Sequence, residues 1–423
     1  MRRDSNILNR IDWLTLLIYG ILVFMGWLNI YASVYEPGAD MNIFDFSLNS
    51  GKQLIWIAST VIIFFIIVSI DFQFYESVSY VLYGIIFLML VFVLVFGSQV
   101  SGARSWFEIG SIFKIQPSEF AKFITALAIA RFMSKPGFRF NSTRQLLIAS
   151  LFVVVPILLI LLQPDPGTAL IYFSFIIVFY REGLSPLVLI IGLLFVLIFI
   201  TTLFISQLYV ILAVIGIAAI TIIFTEKTFK KIASILIIMM LTIGVTLSVD
   251  YFQTKILKPH HQKRLKVLIN PDSDPLGDGW NVTQSKIAIG SGQFWGKGFL
   301  NGTQTKFDFV PEQSTDFIFC TLGEEHGYVG SSIVIILFIF LILRIFYIAE
   351  RQKSKFARIY SYSVGSIIFF HFMINIGMTI GLFPVIGIPL PFFSYGGSSL
   401  WAFSILLFIM LKLDAHRMQI FVR

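Results

Sequence analysis

Long apolar segments recur along almost the whole chain, and they constrain its fold more than any other feature of the sequence. About twelve of them can be counted as membrane spans, because a helix needs roughly 20 apolar residues to cross roughly 30 Å of hydrocarbon. Of the 423 residues, 57% are hydrophobic and only 13% are charged. The sequence therefore predicts an all-α polytopic integral membrane protein, with about 12 transmembrane helices in a single membrane domain over residues 1–423.

The distribution of cations predicts which loops lie inside. If the N-terminus is cytoplasmic, alternation of the spans places three loops rich in Lys or Arg on the cytoplasmic side, as the positive-inside rule requires: residues 131–144, 226–231 and 344–358. The same alternation places one large extracytoplasmic loop at about residues 250–315. The net charge of +8 is thus explained by inside loops and anionic membrane lipid, and it does not indicate nucleic acid. Within the large loop, the basic stretch 255–268 is interleaved with apolar residues. It predicts either an interfacial amphipathic helix that contacts lipid head groups or a segment that captures a phosphate-bearing lipid.

Residues 272–330 form the one long polar stretch, and any chemistry is expected there. Asp272 and Asp274 have the spacing by which many sugar-nucleotide transferases hold a divalent metal, although an aspartate before Pro275 also fits an ordinary turn. The stretch 292–298 resembles a phosphate loop but has three residues between its glycines and no Ser or Thr for magnesium. No nucleotide cofactor is therefore expected.

Charged residues inside the apolar spans are the second signal. Glu324 and Glu325 fall roughly 13 Å along a helix that is expected to start near Thr315, where an ionised side chain needs a partner or a cavity. Glu119 and Lys122 are three residues apart after Pro117, so they can pair on one helix face. The Pro- and Gly-rich segment 384–399 cannot continue a helix, and non-helical backbone at membrane depth lies only beside protein or water. These features predict a cavity next to the large loop.

Motifs along most of the chain resemble those of the shape, elongation, division and sporulation (SEDS) family. In and after the large loop these are SDPLGDGWNVTQSKIAIGSG, GKG, NGTQTKFDFVPEQSTDFIF and LGEEHGYVG, and elsewhere they are GARSWFEIG, QPSEFAK, QPDPGTAL and GIPLPFFSYGGSSL. The NGTQ segment before PEQSTDF is more similar to the RodA-like elongation branch than to the division branch.

The resemblance implies a peptidoglycan glycosyltransferase of the bacterial inner membrane. Such an enzyme polymerises lipid II into β-1,4 glycan strands for cell elongation and shape, with its active site on the extracytoplasmic face. Its implied partners are a class B penicillin-binding protein, which is the transpeptidase, and other membrane proteins of the elongation complex. The essential aspartate of the family's large loop falls on Asp274. We expect it to act in an inverting transfer as general base, because a sugar hydroxyl is a poor nucleophile until it loses its proton, or as a metal ligand.

Other side chains in these motifs are expected to hold the substrate, since the leaving pyrophosphate needs positive charge and oriented polar groups. The substrate-binding candidates are Arg104, Glu119, Lys122, Gln284, Ser285, Lys286, Lys297, Glu324 and Ser394. A divalent cation, Mg²⁺ or Mn²⁺, is the candidate cofactor, with Asp272 and Asp278 as its candidate ligands.

The sequence departs from the family pattern at two places. Ser314 stands where a histidine is common in the PEQSTDF motif. Family members usually have ten spans, and residues 184–249 contain three spans where one is expected, which amounts to an added hairpin. Two other functions remain open. A lipid II flippase or transporter would use the same cavity without Asp274 as a base. A non-catalytic scaffold of the wall-synthesis complex would need neither an external acid nor a basic funnel.

Overall fold

The computed structural model describes residues 7–35, 42–100, 103–109, 113–140, 142–225, 228–251, 278–307 and 309–417. The chain divides into two compact units, residues 1–183 with 281–423, and residues 184–280. The helices of the first unit are α1 (Trp13–Val34), α2 (Asn49–Ser69), α3 (Phe72–Phe96), α4 (Pro117–Met133), α5 (Thr143–Leu162), α6 (Pro166–Ile171), α7 (Phe175–Arg181), α12 (Ile318–Glu350), α13 (Lys355–Thr379) and α14 (Gly397–Ala415). The second unit contains α8 (Pro186–Phe204), α9 (Gln207–Phe224) and α10 (Phe229–Tyr251), and α11 (Asp278–Ser291) follows.

Within the described residues, nine helices are long and apolar enough to cross a membrane. They are α1, α2, α3, α5, α9, α12, α13, α14 and the segment Lys231–Ser248 of α10. The predicted class, a polytopic helical membrane protein, is therefore confirmed. Helix α4, with 17 residues, α8 and the apolar segment Pro166–Arg181 are not among the nine. The count of about twelve spans and the single domain over residues 1–423 stay predictions.

Helices α4 and α14 form the core of the first unit. Helix α4 packs against α3, α5, α13 and α14, and α14 packs against α2, α4 and α13. Small side chains let the backbone of α4 approach its neighbours closely, as is usual between membrane helices: Ala121, Ala126, Ala128 and Ala130 are fully buried. Helices α2, α3 and α5 instead expose large apolar side chains such as Phe65, Val95 and Leu162, as expected of helices that contact lipid.

A small antiparallel sheet, which the sequence did not predict, leads from α3 into α4. Its strands are β1 (Ser98–Val100), β2 (Ala103–Ile109) and β3 (Phe113–Ile115), in the order β1-β2-β3. Glu108 on β2 is paired with Lys114 on β3 at 2.8 Å, and this contact lowers the pKa of Glu108. The motif GARSWFEIG supplies β2. The sheet therefore determines where the chain enters α4, whose first turn carries Glu119.

A buried aspartate joins the start of α1 to the end of α12. Asp12 caps α1 by accepting from Thr15 N–H at 3.1 Å, and it pairs with Arg344 at 2.6 Å and Arg351 at 3.0 Å. Burial alone would raise the pKa of Asp12, but hydrogen bonds from Arg344 and Thr15 outweigh it and lower the pKa from 3.8 to about 2. Arg351 also pairs with Asp414 of α14, so this cluster holds three helices together.

Replacing Asp12 with asparagine is expected to lower the free energy of unfolding by about 2 kcal/mol at neutral pH, because the pKa of Asp12 is about 2 in the folded protein against 3.8 without these contacts. Because the folded pKa is below the unfolded one, this stabilisation is present above about pH 4 and is lost as the pH falls towards 2. Thermal unfolding across that pH range would measure it. The matched control is Asp71→Asn at the exposed cap of α3, which accepts from Gln73 N–H. A pH-independent difference between parent and Asp12→Asn would contradict the assignment.

Candidate active site

The carboxylate of Glu324, near the start of α12, is surrounded by donors from the loop that precedes the helix. Its Oε1 accepts from Lys297 Nζ at 2.6 Å and from the N–H groups of Thr303 and Gln304 at 2.7 and 2.9 Å. Its Oε2 accepts from the N–H and the hydroxyl of Thr305, both at 3.0 Å. Three successive backbone N–H groups around one carboxylate form an anion-binding nest. This Glu324 nest, residues 297, 303–305 and 324, fixes the NGTQT segment against α12.

The turn at residues 292–298 places Lys297 in this nest by lying directly against the backbone of α12. Lys297 N–H donates to the carbonyl of Glu324 at 3.1 Å, and Gly298 N–H donates to the carbonyl of Glu325 at 2.9 Å. A Cβ on Gly296, whose φ is +83°, would lie 2.1 Å from that Glu325 carbonyl, so only glycine allows the approach. Helix α12 breaks at Gly327, where φ is +61°. The helix begins at Ile318, three residues after the start expected from the sequence. The segment before the break at Gly327 is therefore short.

A second charged cluster lies inside the bundle between α4, α13 and α14. Lys122 Nζ donates to both carboxylate oxygens of Glu119, at 2.8 and 2.9 Å, and lies 2.9 Å from His371 Nε2. The ring of Phe403 on α14 covers the ammonium group at 4.7 Å from its centroid. The pair predicted from its spacing is confirmed. Because both side chains are at most 4% exposed, it is a buried pair, whose partners need each other.

Replacing Lys122 with methionine is expected to lower the free energy of unfolding by about 3–5 kcal/mol, because Glu119 would remain ionised and buried without a counter-charge. Methionine has a similar length, so packing should change little. The double variant Glu119→Gln with Lys122→Met should recover most of this loss, since neither charge is then buried. Thermal unfolding of the purified proteins would compare all three. Equal losses in the single and double variants would mean that packing, and not the ion pair, stabilises α4.

Asp165 connects the residue before α4 to the first turn of α6. It caps α6 by accepting from Thr168 N–H at 3.0 Å and from the Thr168 hydroxyl at 2.8 Å. It also accepts from the side-chain amide of Gln116, the residue before α4, at 3.1 Å. Neither Asp165 nor His371 was predicted from the sequence as a site residue. Asp165 had a signal, since an aspartate before a proline is typical of a helix N-terminus, and so did His371, a titratable side chain within an apolar span.

The Pro- and Gly-rich segment between α13 and α14 is connected by hydrogen bonds to the PEQSTDF motif. Ser394 Oγ donates to the carbonyl of Thr315 at 2.7 Å and accepts from Leu390 N–H at 2.8 Å. Tyr395 N–H donates to the carbonyl of Ser314 at 2.9 Å. The non-helical backbone expected from the sequence therefore lies beside protein groups that satisfy it, as membrane depth requires.

Helix α11 contacts the same region at the end of α13. The buried hydroxyl of Ser285 donates to the carbonyl of Thr379 at 2.9 Å. Lys286 is exposed, and its side chain crosses Gly381, where an added Cβ would lie 2.3 Å from Lys286 Cε. Gln284 lies half-buried on the same helix. Three predicted substrate-binding residues, Gln284, Ser285 and Lys286, are thus on the helix that contacts the end of α13, and a fourth, Ser394, is in the Pro- and Gly-rich segment itself.

A cavity of about 560 Å³ opens beside the PEQSTDF motif. Its lining residues come from the end of α1, the residue before α2, and residues 306 and 310–314, and they include Tyr35, Lys306, Glu312 and Ser314. Lys306 Nζ lies 5.5 Å from the centroid of the Tyr35 ring. Glu312 has φ of +58°, a conformation that costs a non-glycine residue energy and that clusters at functional sites. The cavity has the size of a small-molecule site.

The predicted site residues fall into three groups. Lys297 and Glu324 are joined in the nest, and Glu119 and Lys122 in the buried cluster. Gln284, Ser285 and Lys286 are on α11, which contacts the end of α13, and Ser394 is in the loop between α13 and α14. Arg104 is exposed on β2. Asp272, Asp274 and the basic stretch 255–268 lie outside the described residues, and Asp278 begins α11. In the part of the chain that is described, no group of three or more His, Cys, Asp or Glu side chains could hold a metal ion.

Comparison with known proteins covers nearly the whole chain. A family model described as cell cycle protein, for FtsW, RodA and SpoVE, matches residues 12–216 and 188–419. The chain is 31% identical to peptidoglycan glycosyltransferase RodA of Treponema pallidum, over 96% of this chain and 98% of that protein. It is 32% identical to peptidoglycan glycosyltransferase MrdB of Escherichia coli K12, over 96% of this chain and 92% of that protein.

Two solved structures have a similar fold. A chain from work on the structural coordination of polymerization and crosslinking by a peptidoglycan synthase complex aligns with a TM-score of 0.72 and 24% identity, covering 97% of this chain and 99% of that one. The rod shape determining protein RodA of Thermus thermophilus aligns with a TM-score of 0.62 and 22% identity, covering 96% of this chain and 97% of that one. At these identities the likeness is one of fold.

Proposed function

The chain belongs to the FtsW, RodA and SpoVE family of cell cycle proteins, and on that premise we propose that it is the peptidoglycan glycosyltransferase that polymerises lipid II during cell elongation. The observation that carries this proposal is the identity of 31–32%, over 96% of the chain, to two relatives that are both named peptidoglycan glycosyltransferase. Neither a flippase nor a scaffold is favoured by those relatives.

The reaction joins two lipid-linked disaccharides. The 4-hydroxyl of the acceptor sugar attacks the anomeric carbon of the donor, the new glycosidic bond forms, and the bond to the lipid pyrophosphate breaks. Asp274 accepts the hydroxyl proton as general base. A single displacement at an α-linked donor gives the β-1,4 product. The leaving pyrophosphate departs with its two electrons and needs nearby positive charge.

The contacts of the four candidate cations divide them into two kinds. Lys122 and Lys297 are already bonded to carboxylates, Lys122 in a buried pair and Lys297 in the Glu324 nest. Lys286 and Arg104 are exposed. We therefore assign stabilisation of the leaving pyrophosphate to Lys286 and Arg104, and a positioning role to Lys122 and Lys297. The cavity beside Lys306 and Glu312 supports a substrate site on the face that carries the large loop.

A divalent cation would supply further charge for the leaving group. The donors that the sequence offers are Asp272 and Asp278.

The same premise extends to location and partners. The chain is a multi-pass protein, and we propose that it lies in the bacterial inner membrane with its active site on the extracytoplasmic face. A class B penicillin-binding protein is the proposed partner, since the similar fold at a TM-score of 0.72 comes from a complex that coordinates polymerization and crosslinking. Other proteins of the elongation complex would contact it within the membrane.

The experiment that tests this function separates transfer from transport. Sealed vesicles containing the purified chain receive fluorescent lipid II in the outer leaflet only. A glycosyltransferase converts the label to polymer without moving it to the inner leaflet. Unpolymerised label that becomes protected from an external quencher would instead support a flippase, and no change with a folded chain would support a scaffold.

A further inference from the structure

The ammonium group of Lys122 has three hydrogens and three acceptors around it. Two are the oxygens of Glu119 at 2.8 and 2.9 Å, and the third is His371 Nε2 at 2.9 Å. Glu119, Lys122 and His371 are 3%, 2% and 1% exposed. Since an ammonium group can only donate, His371 Nε2 must be the unprotonated nitrogen. The proton of a neutral His371 ring is therefore on Nδ1.

The other nitrogen of His371 faces the loop between α13 and α14. His371 Nδ1 lies 3.3 Å from the carbonyl of Pro389, so the Nδ1 hydrogen has an acceptor in the same tautomer. One helical turn later, the side-chain amide of Asn375 donates to the carbonyl of Ile388 at 2.7 Å and to that of Asp316 at 2.8 Å. Helix α13 thus provides side-chain partners for two consecutive carbonyls of this non-helical loop, those of Ile388 and Pro389.

The same loop reaches the external motif. Ser394 and Tyr395 bond to the carbonyls of Thr315 and Ser314, at 2.7 and 2.9 Å. A continuous path of contacts therefore runs from Lys122 on α4, through the His371 ring, to the loop that supports PEQSTDF. The ring also packs edge-on against Phe403, with centroids 4.7 Å apart. If this were its only important contact, His371 would serve packing alone.

We propose that His371 is a positioning residue for glycosyl transfer. Its neutral ring holds the Lys122 ammonium group through Nε2 and the Pro389 carbonyl through Nδ1, and so fixes α4 relative to the loop that supports the external motif. This inference rests on the proposed function for its effect on rate, but the contacts themselves do not. His371 is assigned no contact with substrate.

Three substitutions separate the contacts of the ring. His371→Gln extends about as far as Nε2 and keeps an acceptor for Lys122. His371→Asn keeps an amide donor near the position of Nδ1, for Pro389, but cannot reach Lys122. His371→Phe keeps only the ring against Phe403. The matched control is Ser366→Ala, because Ser366 is also buried on α13 and its hydroxyl has no hydrogen-bond partner among the described residues.

The readout is the rate of polymerisation of fluorescent lipid II per folded protein, with the folded fraction measured by size exclusion. We expect Ser366→Ala to stay within about threefold of the parent. His371→Gln and His371→Asn, which each keep one of the two contacts, and His371→Phe, which keeps neither, should each lose about tenfold or more, since a small misplacement of supporting groups has effects of this size. A parent-like rate for Phe would overturn the proposal in favour of packing, and a parent-like rate for Gln or for Asn would overturn it in favour of the Lys122 or the Pro389 contact alone.

A second measurement is independent of activity. ¹⁵N nuclear magnetic resonance of histidine-labelled protein in lipid, with His371→Gln to assign the signal, reports which ring nitrogen carries the proton. The proposal predicts a neutral ring protonated at Nδ1. A ring protonated at Nε2, or at both nitrogens, would overturn the proposal whether or not the parent chain polymerises lipid II. A parent chain that polymerises nothing would instead count against the proposed function.

Discussion

Replacing Glu324 with alanine is expected to destabilise the folded protein by about 3–5 kcal/mol, the typical cost of removing one member of a buried ion pair. Lys297 would lose its counter-charge. The loss would leave the N–H groups of Thr303, Gln304 and Thr305 without their acceptor. Of these three residues Thr305 is the buried one, and an unsatisfied buried donor costs about 1–3 kcal/mol. Those residues are held against α12 by one carboxylate. We therefore expect the NGTQT segment to detach before the membrane helices unfold.

Limited proteolysis after Lys297 and Lys306, together with thermal unfolding, would measure this effect. Glu325→Gln is the matched control at the next residue. Glu325 is also buried, at 1% exposed, but neither of its oxygens has a partner that meets hydrogen-bond geometry within the described part of the chain. Removing its charge should be neutral or mildly stabilising. Similar losses at both positions would contradict the specific role of the Glu324 nest.

Replacing Asp274 with asparagine is expected to lower the rate of glycan polymerisation by about 10²- to 10⁴-fold, the usual contribution of a general base. Asparagine keeps the size and the turn-forming oxygen, but it can neither accept the proton nor carry charge. Membrane abundance and binding of the penicillin-binding partner should be unchanged. If Asp274 served only the turn before Pro275, asparagine would work nearly as well as aspartate.

The control for Asp274 is Asp272→Asn, two residues earlier. A general base at Asp274 predicts a much smaller loss at Asp272, whereas similar losses that higher Mg²⁺ or Mn²⁺ relieves would indicate shared metal binding. Polymerisation by Asp274→Asn at more than about a tenth of the parent rate would remove Asp274 from the mechanism. The base would then be sought at Asp278 or Asp316.

Local features were predicted well from the sequence because they depend on neighbours in the chain. Apolar length predicted the membrane class, Pro117 predicted the start of α4, and a spacing of three residues predicted the pair Glu119 and Lys122. Prolines predicted that the chain between α13 and α14 is not helical. In each case the physical cause lies within a few residues.

The partners of these residues were not predictable in the same way. Glu324 was expected to need a partner, but its carboxylate oxygens accept from backbone N–H groups, which every residue except proline has and no sequence pattern marks. Lys297 reaches it only because Gly296 allows two backbones to touch. His371 is 249 residues from Lys122 in the chain, so no local spacing marks the contact between them. The sheet was missed because two of its three strands have only three residues.

Glycosyl transfer by this chain is tested most directly by measuring both products that the purified parent chain makes in lipid. Fluorescent lipid II is supplied, and glycan polymer and free lipid pyrophosphate are quantified over time. Transfer at the donor anomeric carbon predicts β-1,4-linked polymer that muramidase digests, with one lipid pyrophosphate released for each bond formed. Recovery of intact lipid II from a folded chain, with its partner present and absent, would contradict the account.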